Sequence, residues 1–194
     1  ATNQNVASLI PSQPPMESAD GYIYQVQFKR ACRWLLLGPN APRDITTYDF
    51  VKVEADRGED LGIVCTKVAS ADFKEEKPTA GFRGRGAATG LAENKRIVRL
   101  ATGEERMRLP IKQLEEERAM MVCREKVQQR RLPMVIVDAE YQYDRHKLTF
   151  YFEADRRIDF HELVADLFAL YKTRIWMQQI DDSFKPNPLL SAAV

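Results

Sequence analysis

Residues 134–154 read MVIVDAEYQYDRHKLTFYFEA, two runs of alternating apolar and polar side chains on either side of a short polar break. Alternation with period two marks a strand with one buried face. The break is Asp144-Arg145-His146-Lys147, with Asp144 suited to opening a turn. Pairing Tyr143 with Leu148 sets Tyr141 opposite Phe150, Ala139 opposite Phe152 and Val137 opposite Ala154, all apolar. The other face then pairs Gln142 with Thr149, Glu140 with Tyr151 and Asp138 with Glu153. A slip of one residue would mix the two sets, so the pattern predicts a hairpin with one oily and one polar face.

The segments on either side predict helices. In 109–130, Pro110 suits a first turn, Glu115, Glu116 and Glu117 lie toward the N-terminal end, and Arg124, Lys126, Arg130 and Arg131 lie toward the C-terminal end. The helix dipole favours that polarity. The apolar residues of this helix fall on two lines: Ile111, Leu114, Met121 and Val122, and Ala119, Met120, Cys123 and Val127. One line is enough to dock a helix on a sheet; the second is either more deeply buried or a partner surface. After the hairpin, Asp159 and Glu162 have the spacing of a capping box. Phe160, Leu163, Val164, Leu167, Phe168, Leu170 and Tyr171 then form one stripe. Strands are predicted at 96–101 and 173–180. The order β-α-β-β-α-β over 95–181 is that of a ferredoxin-like α+β unit, with both helices on one sheet face and the other face open.

Further toward the N-terminus, 21–68 predicts a small antiparallel β unit. Tyr22, Tyr24, Val26 and Phe28 alternate, and β-rich runs at 50–55 and 61–66 flank Asp56-Arg57-Gly58-Glu59-Asp60, where Gly58 can take the positive φ of a hairpin. A flexible arm is expected at 1–20, a flexible insert containing Phe82-Arg83-Gly84-Arg85-Gly86 at 69–94, and a flexible tail at 182–194.

Composition narrows the function classes. Lys+Arg 29 against Asp+Glu 28 leaves a net charge of +1, so any nucleic-acid affinity must come from a local patch. Cys32, Cys65 and Cys123 are too few and too scattered for a disulfide framework or a metal pair. No phosphate loop, nucleotide fingerprint or nucleophile elbow is present, and no apolar run approaches the ~20 residues of a membrane span. The expectation is a cytoplasmic protein with no cofactor, no resident metal and no membrane contact.

The open sheet face carries the functional expectation. If Ile175 and Met177 turn toward the helices, then Arg174, Trp176 and Gln178 turn out and share a face with Tyr151, Thr149 and Lys147. Aromatic and arginine side chains on such a face stack single-stranded bases. Arg83, Arg85, Tyr151, Arg174 and Trp176 are therefore the candidate RNA contacts. The alternative is that the N-terminal β unit or a second subunit covers this face. Two other functions are compatible with the residues. Asp138, Glu140 and Glu153 could hold Mg²⁺ for a metal-dependent nuclease, or the chain could be a scaffold that dimerises through the long helix without touching nucleic acid.

From residue 50 to residue 180 the sequence resembles the polymerase-suppressor (PSP-type) C-terminal domain family. The resemblance is carried by Asp56-Arg57-Gly58-Glu59-Asp60-Leu61-Gly62-Ile63-Val64, by Arg99-Leu100-Ala101-Thr102, by the segments 138–144 and 147–164, and by Thr173-Arg174-Ile175-Trp176-Met177-Gln178-Gln179-Ile180. It implies a regulatory role on messenger RNA stability or processing, exerted through protein complexes and without an established catalytic site. Such a role is that of the bacterial YaaT-type members and of the similar kinetoplastid cycling-sequence mRNA-binding proteins. It also marks Arg57, Gly58, Asp159 and Glu162 as motif residues that could simply hold the fold. Bacterial members carry a cysteine-rich tail associated with an iron–sulfur cluster; residues 181–194 contain no Cys, so no cluster is expected.

Overall fold

The computed structural model describes Ser18 and residues 20–73 and 91–180. The arm and tail expected at 1–20 and 182–194 fall outside these residues apart from Ser18 and Asp20, and so do residues 74–90 of the insert expected at 69–94, with Arg83 and Arg85; Ala69 and residues 91–94 of that expected insert belong to strands instead.

The chain forms five strands, β1 (Tyr22–Gln27), β2 (Cys32–Leu37), β3 (Phe50–Glu54), β4 (Glu59–Ala69) and β5 (Leu91–Leu100), then α1 (Gly103–Met107) and α2 (Leu109–Gln129). β6 (Val135–Tyr141), β7 (Lys147–Glu153), α3 (His161–Tyr171) and β8 (Arg174–Gln179) follow. The first five strands close into a barrel in the order β1-β2-β5-β3-β4, and the last three form a sheet in the order β6-β7-β8.

The fold is α+β, but the expected ferredoxin-like arrangement is replaced, because β5 leaves the sheet. The hairpins β1–β2 and β3–β4 join through β1 and β4, which leaves β2 and β3 with unpaired edges. β5 bridges both, parallel to β2 and antiparallel to β3, and drives Ile97 into the barrel interior beside Leu37, Val51 and Val53. Closure removes the edges that an open unit would expose. The place beside β7 goes instead to β8, which returns through α3 as a parallel neighbour.

The hairpin of 134–154 forms with Tyr141 opposite Leu148 and Ala139 opposite Phe150, two residues from the expected register. A shift of two preserves the faces, so Ala139, Leu148, Phe150 and Phe152 still point to the helices. A register shift between Ile136 and Asp138 then reverses the strand's start. Ile136 rather than Val137 enters the core, and Val135 is exposed.

α1 was not legible beforehand: Thr102 accepts the Glu105 N–H and Glu105 reaches back to the Thr102 N–H, a capping box. On α2, Ala119, Cys123 and Val127 are buried with Glu116, while Ile111, Leu114 and Met121 face outward. The capping box expected at Asp159 and Glu162 is not formed. α3 begins at His161 with Phe160 at the cap position. Asp159 Oδ1 accepts the His161 N–H at 3.1 Å, and Glu162 pairs with Arg130 at the end of α2. Of the expected stripe, Leu163 and Leu167 are buried but Phe168 and Leu170 are exposed. Full burial of a leucine such as Leu163 contributes about 1.5–3 kcal/mol.

Candidate nucleic-acid interface

The polar sheet face is not open: the barrel sits on it. The β1–β2 turn supplies Lys29 and Arg30. Lys29 Nζ donates to Asp138 Oδ1 at 2.7 Å, to Glu116 Oε2 at 3.2 Å and to the Ala139 carbonyl at 2.8 Å. Its backbone N–H donates to Glu140 at 3.0 Å. Arg30 Nε donates to Asp138 Oδ2 at 2.6 Å, and its guanidinium lies 5.4 Å from the Tyr151 ring centre. The Tyr151 hydroxyl donates to Glu140 Oε2 at 2.7 Å. Burial pushes the Asp138 carboxyl up, but Lys29 and Arg30 outweigh it and hold the group below the usual carboxylate range. For Glu140 burial prevails and the carboxyl is raised.

A second joint lies at the β3–β4 hairpin. Gly58 has φ +78°, and a Cβ there would fall 1.9 Å from Asp144 Oδ2. Asp144 Oδ2 accepts the Glu59 N–H at 2.8 Å, Gln142 Nε2 donates to the Arg57 carbonyl at 2.7 Å, and the Tyr143 N–H donates to Asp60 Oδ1 at 3.0 Å. Gly62 lets β1 come close, since a Cβ there would lie 2.5 Å from Val26 Cγ1. The Arg57-Gly58-Glu59-Asp60 turn is thus a point where barrel meets sheet, whereas Gly62 serves packing within the barrel. Arg57 contributes its backbone to the joint.

These contacts change the roles of several candidate residues. Tyr151 is only 5% exposed, under the barrel, so its ring is not a platform for a base. Asp138 and Glu140 are committed to Lys29, Arg30 and Tyr151, while Glu153 sits at the far end of β7 opposite Val135. Among the described residues no group of three or more His, Cys, Asp or Glu side chains is placed to hold a metal ion. The acidic cluster expected for Mg²⁺ is therefore not assembled. Asp159 and Glu162 serve the start of α3 and its pairing with α2.

Arg174 and Trp176 are brought together as expected. β8 is the outer strand of the sheet, and Trp176, 44% exposed, extends beyond the cover of the barrel. The Arg174 guanidinium lies 5.4 Å and Lys147 Nζ 5.8 Å from the Trp176 ring. Lys147 is opposite Arg174 on β7, and Thr149 is opposite Trp176. Burial lowers the Lys147 ammonium, and the nearby charge of Arg33 lowers it further, against the opposing pull of Asp60 and Asp56. Lys95 also acts on Lys147, while itself ion-paired with Asp56. The result is an exposed indole with two cations of the sheet beside it, Lys147 and Arg174, while Arg33, whose guanidinium lies 5.0 Å from the Phe28 ring, and Lys95 act from the barrel on Lys147. The sequence marked Arg174, Trp176 and Lys147 by their alternation. Arg33 and Lys95 carried no signal, because their effect on Lys147 follows from the seating of the barrel on the sheet. On the helix side of β8 a groove of about 1200 Å³ is lined by Arg156, Arg157, His161, Ile175 and Met177 among others. Among the described residues no helix is long and apolar enough to cross a membrane.

Residues 95–180 match the model of the PSP1 C-terminal conserved region. A Schizosaccharomyces pombe protein described as uncharacterized is 38% identical over 180 residues, covering 86% of this chain and 24% of its own length. The stage 0 sporulation protein YaaT of Bacillus subtilis is 33% identical over 155 residues, 80% of this chain and 51% of that protein. Protein PSP1 of Saccharomyces cerevisiae is 47% identical over 53 residues, 27% of this chain and 6% of that protein. The chain thus spans from a quarter to half the length of the two relatives it matches most extensively. No solved structure matches it significantly. Residues 95–180 of the chain thus belong to the PSP1 C-terminal conserved region, the region that forms the end of the barrel's last strand and the whole of the sheet and its helices.

Proposed function

We propose that the protein is an RNA-associated regulatory module that acts within a protein complex on messenger RNA stability or processing in the cytoplasm. The observation that supports this most is Trp176, an exposed indole with Arg174 and Lys147 beside it. A base stacks on the ring while the cations meet its flanking phosphates, a combination suited to single strands because only unpaired bases offer a free face. Lys147 favours an anion on physical grounds: it is half-buried and its neighbours include Arg33 and Lys95. In this reading the contact set is Trp176, Arg174, Lys147 and Arg33. Arg83 and Arg85 remain candidate contacts beside them, and Tyr151 supports the sheet from beneath.

The test is a titration of the whole chain with labelled single-stranded RNA at two salt concentrations. About three phosphate contacts predict that log K falls with log salt at a slope of about −2. Absence of binding even at low salt would overturn the proposal for this chain.

A further inference from the structure

Seen along its axis, α2 has two opposite faces. The inner one buries Glu116, Ala119, Cys123 and Val127. Ile111, Leu114, Arg118, Met121, Glu125 and Gln128 run down the outer one at alternating spacings of three and four, the spacing by which one helix seats against another. Ile111 is 57% exposed and Met121 65% exposed. A shallow groove of about 560 Å³ surrounds Met121 and Val122, bordered by Arg118, Arg124, Glu125 and Gln128. Among the described residues neither Arg118 nor Glu125 forms an ion pair, and Glu125 accepts a hydrogen bond from Gln129 at 3.1 Å.

We propose that this outer face is a two-fold interface with a second copy of the chain, the two α2 helices running antiparallel and crossing at Met121. The charges select both occupant and direction. A parallel copy would set Arg118 against Arg118 and Glu125 against Glu125. An antiparallel copy centred on Met121 sets each Arg118 against the other copy's Glu125, because the two residues lie three and four positions either side of the centre. The same patch therefore complements itself, as a two-fold interface requires, and each Met121 enters the groove beside the other. The dimer would carry two Trp176 surfaces on one assembly.

The experiment is sedimentation equilibrium of the whole chain over a range of concentrations, with circular dichroism confirming that each variant is folded. The wild type is expected to dimerise. Met121→Glu is expected to yield a monomer with an unchanged spectrum. Arg118→Glu and Glu125→Arg are each expected to weaken the dimer about tenfold, and the double exchange Arg118→Glu/Glu125→Arg to restore it. A wild type that stays monomeric throughout would overturn the proposal, as would a dimer indifferent to Met121→Glu. A double exchange no better than the single ones would overturn the antiparallel pairing.

Discussion

Lys29 in the β1–β2 turn places its Nζ 2.7 Å from Asp138 Oδ1 on β6, so the barrel is held to the sheet by a partly buried ion pair. The same ammonium lies 3.2 Å from Glu116 on α2, whose side chain is 2% exposed. Burial lowers the Lys29 ammonium, but Glu116 and Asp138 more than reverse this and keep it charged. Lys29→Met keeps the aliphatic stem and removes the charge, leaving buried carboxylates less compensated. The expected loss is about 3 kcal/mol, the low end for removing one partner of a buried pair, because Arg30 and Lys112 stay beside Asp138 and Glu116. Urea unfolding with an unchanged m-value measures it, and a loss too small to resolve would show that the pair does not hold the two halves together.

Gly58 meets two demands at once, a left-handed backbone and room for Asp144. Gly58→Ala is expected to destabilise by about 1–3 kcal/mol, from strain at positive φ together with displacement of the Asp144 carboxylate from the Glu59 N–H. Asp144→Ala tests the second part alone. In a double-mutant cycle the two losses should be clearly less than additive; full additivity would mean that the hairpin does not dock through Asp144.

Glu105 predicts the direction of an acid effect. Its hydrogen bonds from Arg99 outweigh the opposing effect of burial, and with the Thr102 N–H and the charge of Lys52 they bring the carboxyl down to about 2. A depressed carboxyl stabilises the fold above its ordinary value of 4.5, and that contribution is lost as pH falls toward about 2. Glu105→Gln should therefore lower the melting temperature at pH 7 and narrow the difference between pH 7 and pH 3. An unchanged difference would remove Glu105 from the acid response.

What could be read from the residues beforehand follows the range of each physical signal. The alternation in 134–154 specifies the face of each side chain, so the hairpin and the inward Phe150 and Phe152 were legible. A shift of two residues leaves that alternation intact, which is why the register was not. Residues 96–101 announced a strand but not its partner. That choice depends on the open edges of β2 and β3, which exist only once both hairpins have formed. Tyr151 illustrates the same limit: its position in the alternation placed it on the polar face, but Arg30, which covers it, is 121 positions away in the chain. Arg174 and Trp176 were legible as a pair because their separation of two needs nothing beyond the strand itself.

Trp176 is exposed on the outer strand, so its removal should cost little stability. Trp176→Ala is expected to leave the melting temperature nearly unchanged while reducing RNA affinity by about 1–3 kcal/mol, the usual worth of one stacked base. Lys147→Ala and Arg174→Ala should each weaken binding and reduce the salt slope by roughly 0.7, the share of one single-strand phosphate contact.

The most direct measurement is the indole fluorescence of Trp176 in a Trp34→Phe background, followed during titration with single-stranded RNA. Stacking predicts saturable quenching that tracks binding and weakens as salt is raised. RNA that binds to saturation while the Trp176 emission stays unchanged would contradict the assignment of this surface.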